Sequence, residues 1–377
     1  MLLKVNFKLG YNKFVIKSIK NKIENFLENN RKYVMPIAIV GGFVGDIFTL
    51  NRIDQVFDNS VLIIHLLIVG LCMVFLFAKD TKYDKIFKSS KYESIYETLM
   101  LFSFGGLFSG FVIFYTRSGS LLSAWPFVLI MLLLMLGTEF YKSFYKRITF
   151  QIILYFVALF THLIFFVPLI VKDVGAFWFL VSGGISIVLI NIYFGFLAKV
   201  NMEKYKSIRK NLIKYIFITF GIFNFLYFTN IIPPVPLSLK FKAVYHSVQT
   251  TESGYLVTYE SPAQISLRKR SHIYHWDGVS PVYVFTSVFS PIGFQTEIHH
   301  VWKFFDPNIG RWVTKSTIPL TIKGGRVEGY RGFSYKTNLQ AGKWRVVVEN
   351  KRGQALGYIN FTIKDGAPNR SLILEEL

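Results

Sequence analysis

Hydrophobic positions in this chain come in two textures. Up to Thr229 they form long blocks that polar residues rarely interrupt, and beyond it they alternate with polar residues in short runs between turn signals. The blocks are seven: Tyr33 to Leu50, Ser60 to Ala78, Ile95 to Tyr115, Leu121 to Tyr141, Thr149 to Ile170, Ala176 to Ala198 and Leu212 to Thr229. Each approaches the ~20 residues with which a helix crosses a bilayer. Residues 33–230 are therefore expected to form a seven-span α-helical transmembrane bundle.

Charge gives the bundle a direction. Lys4, Lys8, Lys13, Lys17, Lys20, Lys22, Arg31 and Lys32 precede the first block, and the connections after blocks two, four and six are rich in lysine and arginine. The basic residues after blocks one, three and five are only Arg52, Arg117 and Lys172. By the positive-inside rule the N-terminus is cytoplasmic and, after an odd number of crossings, everything past Thr229 is outside. Residues 1–32 read as a cytoplasmic basic segment. Within it Val15, Ile16, Ile19, Ile23, Phe26 and Leu27 recur at helical spacing among lysines, the pattern of an amphipathic helix on the membrane surface.

The chain changes character at Ile231-Ile-Pro-Pro-Val-Pro-Leu237, because proline cannot continue a helix and pushes its predecessor into extended backbone. Residues 231–240 read as a Pro-rich interfacial linker. Beyond it, strand patterns run over Lys242 to Gln249, Tyr255 to Glu260, Pro281 to Phe289, Thr296 to Phe305, Trp312 to Ile322, Val327 to Lys336, Lys343 to Glu349 and Gln354 to Ile363. Trp344, Val346 and Val348 share one face, as do Ile359, Phe361 and Ile363. Apolar residues on both faces of Pro281 to Phe289 mark a central strand. Residues 241–365 are expected to form an all-β, antiparallel, immunoglobulin-like sandwich, and 366–377 a loose tail.

Composition narrows the function classes. A formal charge of +21 raises nucleic acid as a partner, but most of the excess lies in the N-terminal segment and the inner connections, where it orients the helices. No nucleic-acid partner is expected. The one cysteine, Cys72, lies inside the second block, so no intramolecular disulfide is available and the outer domain must be held by its own core. The first ~30 residues are too charged for the apolar region of a cleaved signal, which makes the first block an uncleaved anchor.

Several segments then stand out together: Gly45-Asp-Ile-Phe-Thr-Leu-Asn-Arg-Ile-Asp54, Phe104-Gly-Gly-Leu-Phe-Ser109, Gly137-Thr-Glu-Phe140, Asn224 to Lys240, His300-Val-Trp302, Arg331-Gly-Phe-Ser334 and Gly342-Lys-Trp-Arg-Val346. As a set they resemble a bacterial family of multi-pass inner-membrane proteins with a C-terminal domain of unknown function, the DUF2914 type. The resemblance implies a membrane domain fused to a periplasmic β domain. It assigns no activity and no catalytic residue.

Ionisable residues inside a bilayer are costly and ask for a reason. Asp46, His65 and His162 fall toward the outer ends of their blocks, and Glu97 and Glu139 toward the inner side. A proton or cation relay from Asp46 and His65 to Glu139 is one reading; hydrated or loop-paired interfacial groups are the other. Ser109 with His162 is the one nucleophile–base pair to test for a membrane-embedded enzyme. In the outer domain a metal would need His272, His275 and His300 to converge, but His300 shares a strand face with Ile298, Trp302 and Phe304, which favours a core histidine. Tyr330, Arg331, Ser334, Lys336, Trp344 and Arg345 form the candidate binding surface, since aromatic rings beside guanidinium groups suit a glycan, an acidic polymer or a protein partner. A solvated basic face is the alternative.

The expected function is non-enzymatic: an inner-membrane protein, its partners the lipid bilayer and an envelope protein or polymer, that presents its β domain outside the cell, with no cofactor and no metal. A small-solute or ion transporter capped by the β domain is the alternative, and a membrane-embedded enzyme the third. Oligomeric state stays open.

Overall fold

The computed structural model describes residues 41–50, 52–118, 121–140, 147–232, 236–261, 272–366 and 371–377, with the backbone alone at 118, 121–124 and 138–140. The N-terminal basic segment and the start of the first apolar block lie outside the described residues. Residues 41–49 are helical. They are followed by α1 (Val56–Phe77), the short α2 (Asp84–Phe87), α3 (Ser89–Ser118), α4 (Leu121–Phe140), α5 (Ile148–Val171), α6 (Ala176–Val200) and α7 (Met202–Phe228). Long apolar blocks become helices because a helix satisfies every backbone polar group within its own segment where no water can.

Among the described residues, five helices (α1, α3, α5, α6 and α7) are long and apolar enough to cross a membrane, and α4 is apolar over the shorter stretch Trp125–Gly137. Their outward residues Leu67, Leu71, Val188, Ile192, Phe217 and Phe225 are exposed, whereas Phe104, Phe108, Phe111, Phe160 and Phe165 are buried between helices. The glycines of α3 set its distance from α1. A Cβ on Gly106 would meet the His65 ring and one on Gly110 the Leu62 side chain, so two glycines one turn apart let the helices press together.

The C-terminal part is β-rich. Its strands are β1 (Ser238–Tyr245), β2 (Ser247–Thr250), β3 (Tyr255–Glu260), β4 (Ile273–Trp276), β5 (Val282–Phe289), β6 (Gln295–Asp306), β7 (Arg311–Lys323), β8 (Tyr330–Lys336), β9 (Gly342–Asn350), β10 (Ala355–Asp365) and β11 (Leu372–Glu376). They form sheets in the orders β1-β5-β8, β4-β10-β9-β6-β7 and β11-β3-β2. The first two face each other across one core, in which Val282 and Val284 of β5 meet Trp302, Trp344, Val346 and Phe361. The third covers the far side of the first through Val248, Val257, Tyr245 and Phe285.

Strand β5 is central in its sheet, as its two apolar faces predict. Three expectations change. The linker ends earlier, because β1 begins at Ser238. The pairing is not wholly antiparallel, since β4 runs parallel to β10. Residues 372–376, expected to be loose, form β11, whose backbone pairs with β3 from Leu372↔Glu260 to Glu376↔Leu256.

A seam joins the two parts. Phe289, the last residue of β5, is 4% exposed and belongs to the helical core together with Ile232. Arg52 lies 5.1 Å and the Lys240 ammonium 5.5 Å from its ring centre. In the turn between β9 and β10 the Arg352 guanidinium sits 3.7 Å over the Tyr227 ring, which stacks at 3.7 Å on Phe179. Arg352 also donates to the Tyr227 carbonyl at 3.0 Å, and Gln354 donates to the Ile232 carbonyl at 2.9 Å. The Lys172 side chain, after α5, lies against Gly293 between β5 and β6. The ends of α5 and α7 and the segment holding Arg52 therefore meet the same end of the β domain.

A half-buried cation–π contact contributes up to about 2 kcal/mol, and a hydrogen bond from a charged donor a comparable amount. Arg352→Ala is accordingly expected to speed amide hydrogen exchange at the β9–β10 turn and the end of α7 by at least about tenfold, with exchange in the middle of β6 unchanged.

Candidate functional site

Strand parity sorts the candidate surface. In β9, Trp344 points into the core and is 1% exposed, while its neighbour Arg345 points out. In β8, Ser334 is 3% exposed and accepts from Trp302 Nε1 at 3.0 Å. Trp344 and Ser334 are thus core residues, a correction that follows from the two-residue period of a strand. Tyr330 and Arg331 line, with Tyr255, Thr286, Leu320 and Phe333, a crevice of about 200 Å³ beside β8. Lys336 is half-buried at the far end of that strand. The six residues divide among the core, the β8 edge and the outer face of the five-stranded sheet, and the structure does not bring them together.

The outer face of that sheet carries a connected set built around Arg345. Its guanidinium carbon lies 4.3 Å from the Trp312 ring centre and 4.7 Å from that of Tyr358. Arg345 Nε donates to Asn360 Oδ1 at 2.8 Å, and among the described residues its Nη atoms take no hydrogen-bond partner. Register explains the gathering: Lys303 pairs with Arg345 and Arg345 with Asn360, while Phe305, two residues along β6 from Lys303, pairs with Trp312, so two adjacent rows across β7, β6, β9 and β10 face the same way. Phe305 packs on Trp312 at 5.4 Å, and the Lys343 ammonium lies 5.8 Å from the Phe305 ring. Lys242 donates to the Tyr358 carbonyl at 2.6 Å, where burial lowers its pKa. Glu349 lies 3.9 Å from Lys303; burial raises its pKa and Lys303 opposes the rise. Trp312, Tyr358, Phe305 and Lys242 were not singled out in the sequence, although outward parity with Arg345 was a signal for Tyr358.

Behind this face lies a buried polar network. His300, 0% exposed, contacts Thr286 Oγ1 through Nε2 at 2.9 Å and Ser334 Oγ through Nδ1 at 2.9 Å. Burial pushes its pKa down to about 4. His275 and His246 converge instead on Glu260, at 2.7 and 3.0 Å. Burial works to raise the Glu260 pKa, but hydrogen bonds from His275 and His246 hold it below the usual value. His272 contacts the Asn360 carbonyl, so His272, His275 and His300 do not converge. Among the described residues no His, Cys, Asp and Glu group is arranged to hold a metal.

Within the helices Ser109 donates to Asp46 Oδ2 at 2.5 Å, and His65 packs against Gly106 one turn from Ser109. The structure gathers Asp46, His65 and Ser109. It does not pair Ser109 with His162, which is 3% exposed and packed between Phe165 and Phe166. The Glu139 side chain lies outside the described residues, so the relay to it has no geometry here.

Residues 295–363, from β6 through most of β10, match the model of a family described as proteins of unknown function, DUF2914. The match bears out the family resemblance for the C-terminal part. No curated protein matches the chain. Among solved structures a β-glucosidase from Listeria innocua aligns at 15% identity and a TM-score of 0.20, covering 29% of this chain and 16% of its own. An immunoglobulin-like protein from Pseudomonas aeruginosa aligns at 9% identity and 0.19, covering 31% and 97%. The alkylpurine DNA glycosylase AlkC from Pseudomonas fluorescens aligns at 10% and 0.22, covering 83% and 99%. The chain thus spans about a sixth of the β-glucosidase, and none of the three is similar enough to transfer a fold or an activity.

Folded His300 resists a proton that the unfolded chain accepts near pH 6.5. Its contribution is full above that pH and falls as pH drops toward 4. The β domain is expected to lose about 3 kcal/mol across that window, and His300→Gln to remove that part of the pH dependence in denaturation curves.

Proposed function

We propose that this is a seven-span inner-membrane protein, N-terminus in the cytoplasm, that holds an immunoglobulin-like sandwich rigidly on its outer surface and uses the free face of the five-stranded sheet to bind an acidic envelope polymer or partner protein, without catalysis. The observation that carries this reading is Arg345, held between Trp312 and Tyr358, its Nη edge without a hydrogen-bond partner among the described residues, beside Lys242, Lys303 and Lys343. A stacked guanidinium loses little side-chain entropy on binding and meets a carboxylate or phosphate in a fixed geometry. The count of seven spans adds the first block and α4 to the five long apolar helices, and positive-inside charge supplies the direction.

Transport is the second reading, favoured by the Asp46–Ser109 bond with His65 beside it, since polar groups gathered from three helices mark ion paths in membrane proteins.

Crosslinking and co-purification from intact cells separate the two. A partner captured by the wild-type chain should be lost from Trp312→Ala/Arg345→Ala and kept by Asp46→Asn. Capture that survives the double variant contradicts the sheet-face reading, and loss of transport in Asp46→Asn alone would favour the second.

A further inference from the structure

The seam between the helices and the β domain contains a crevice of about 70 Å³ whose two walls differ in chemistry. Ile164, Pro168 and Phe179, from α5 and α6, line one wall; Thr296, Lys351 and Arg352, from the β domain, line the other. We infer that this crevice holds the headgroup of an anionic phospholipid, an inference that rests on the membrane placement of the helices but not on the sheet-face function.

Position comes first. The crevice lies where the spanning helices end, so its apolar wall continues into surface that acyl chains cover. Ile170 at the end of α5 and Phe177 at the start of α6 are 64% and 66% exposed. An open crevice at the ends of the helices can take the phosphate end of an amphiphile, with its chains running down the helices.

Charge comes second. Arg352 is fixed by its stack on Tyr227 and its bond to the Tyr227 carbonyl, and the adjacent Lys351 is exposed with no ion pair among the described residues. A rigid guanidinium beside a mobile ammonium suits a phosphodiester, which takes directed hydrogen bonds from the first and a point charge from the second. Lys172 lies nearby at Gly293, and Lys323 and Arg326 flank the neighbouring β7–β8 turn. Against these five cations, Lys351, Arg352, Lys172, Lys323 and Arg326, stand Asp173, whose carboxylate accepts from the Val174 amide and Trp178 Nε1, and Glu328 in the β7–β8 turn, which leaves an excess of positive charge.

Apolar loop tips come third. Ile292 and Val327, in the β5–β6 and β7–β8 turns, are 67% and 57% exposed at the end of the domain where Phe289 enters the helical core. The Gly325 amide donates to the Ser290 carbonyl and ties the two turns together. Exposed aliphatic tips beside lysine and arginine are costly in water and suited to the headgroup boundary.

The test is native mass spectrometry of the full chain in detergent with added phosphatidylglycerol, phosphatidylcholine or inorganic phosphate. Phosphatidylglycerol should be retained at least about tenfold better than phosphatidylcholine, and Lys351→Glu and Thr296→Asp should each abolish that preference with the thermal midpoint unchanged. Equal retention of the two lipids, retention unaffected by both variants, or displacement of phosphatidylglycerol by equimolar inorganic phosphate would each overturn the inference.

Discussion

The structure depends on one wedge. Phe289 ends the central strand of one β sheet and is at the same time part of the core between the helices. Burying one ring at a seam between two parts ties their folding together, because neither can move away without exposing it. Arg352 supplies the complementary restraint: stacked on Tyr227 and bonded to its backbone, it fixes the β9–β10 turn to the end of α7.

That restraint determines which surfaces the β domain can offer. One end is occupied by the helices, through Phe289, Arg352 and Gln354. The outer face of the β1-β5-β8 sheet is covered by the β11-β3-β2 sheet, whose tyrosines and valines fill the space. The outer face of the five-stranded sheet is left, with Arg345 held on it between Trp312 and Tyr358. The His300, Thr286 and Ser334 network lies directly behind it, between β6, β5 and β8. A buried hydrogen-bonded network has one low-energy register, so it fixes β6 of the five-stranded sheet against β5 and β8 of the other.

Local patterns were legible in the sequence and long-range ones were not. Block length and strand alternation located the long helices and most strands, because period and hydrophobicity are local properties, but α3 and α7 begin at Ser89 and Met202, well before their apolar blocks, since polar and basic turns extend both helices. The core placement of His300 also followed from its strand partners. Treating Trp344 and Arg345 as one surface failed because adjacent strand residues face opposite ways. Strand β4 was missed because Ile273–Trp276 is four residues long and owes its conformation to parallel pairing with β10. Strand β11 owes its order to β3, more than a hundred positions earlier. The Ser109–Asp46 bond spans 63 positions and the Arg352–Tyr227 bond 125, separations at which no local pattern speaks.

The most direct test of the rigid seam is a spin-label distance measurement across it. With Cys72 replaced by alanine, one label at Thr314 on the outer sheet and one at Ile185 on α6 would be measured in the full chain in nanodiscs. A single narrow distance distribution is predicted, broadening when Phe289 is replaced by alanine. A broad or multi-modal distribution in the chain that retains Phe289 would contradict the account.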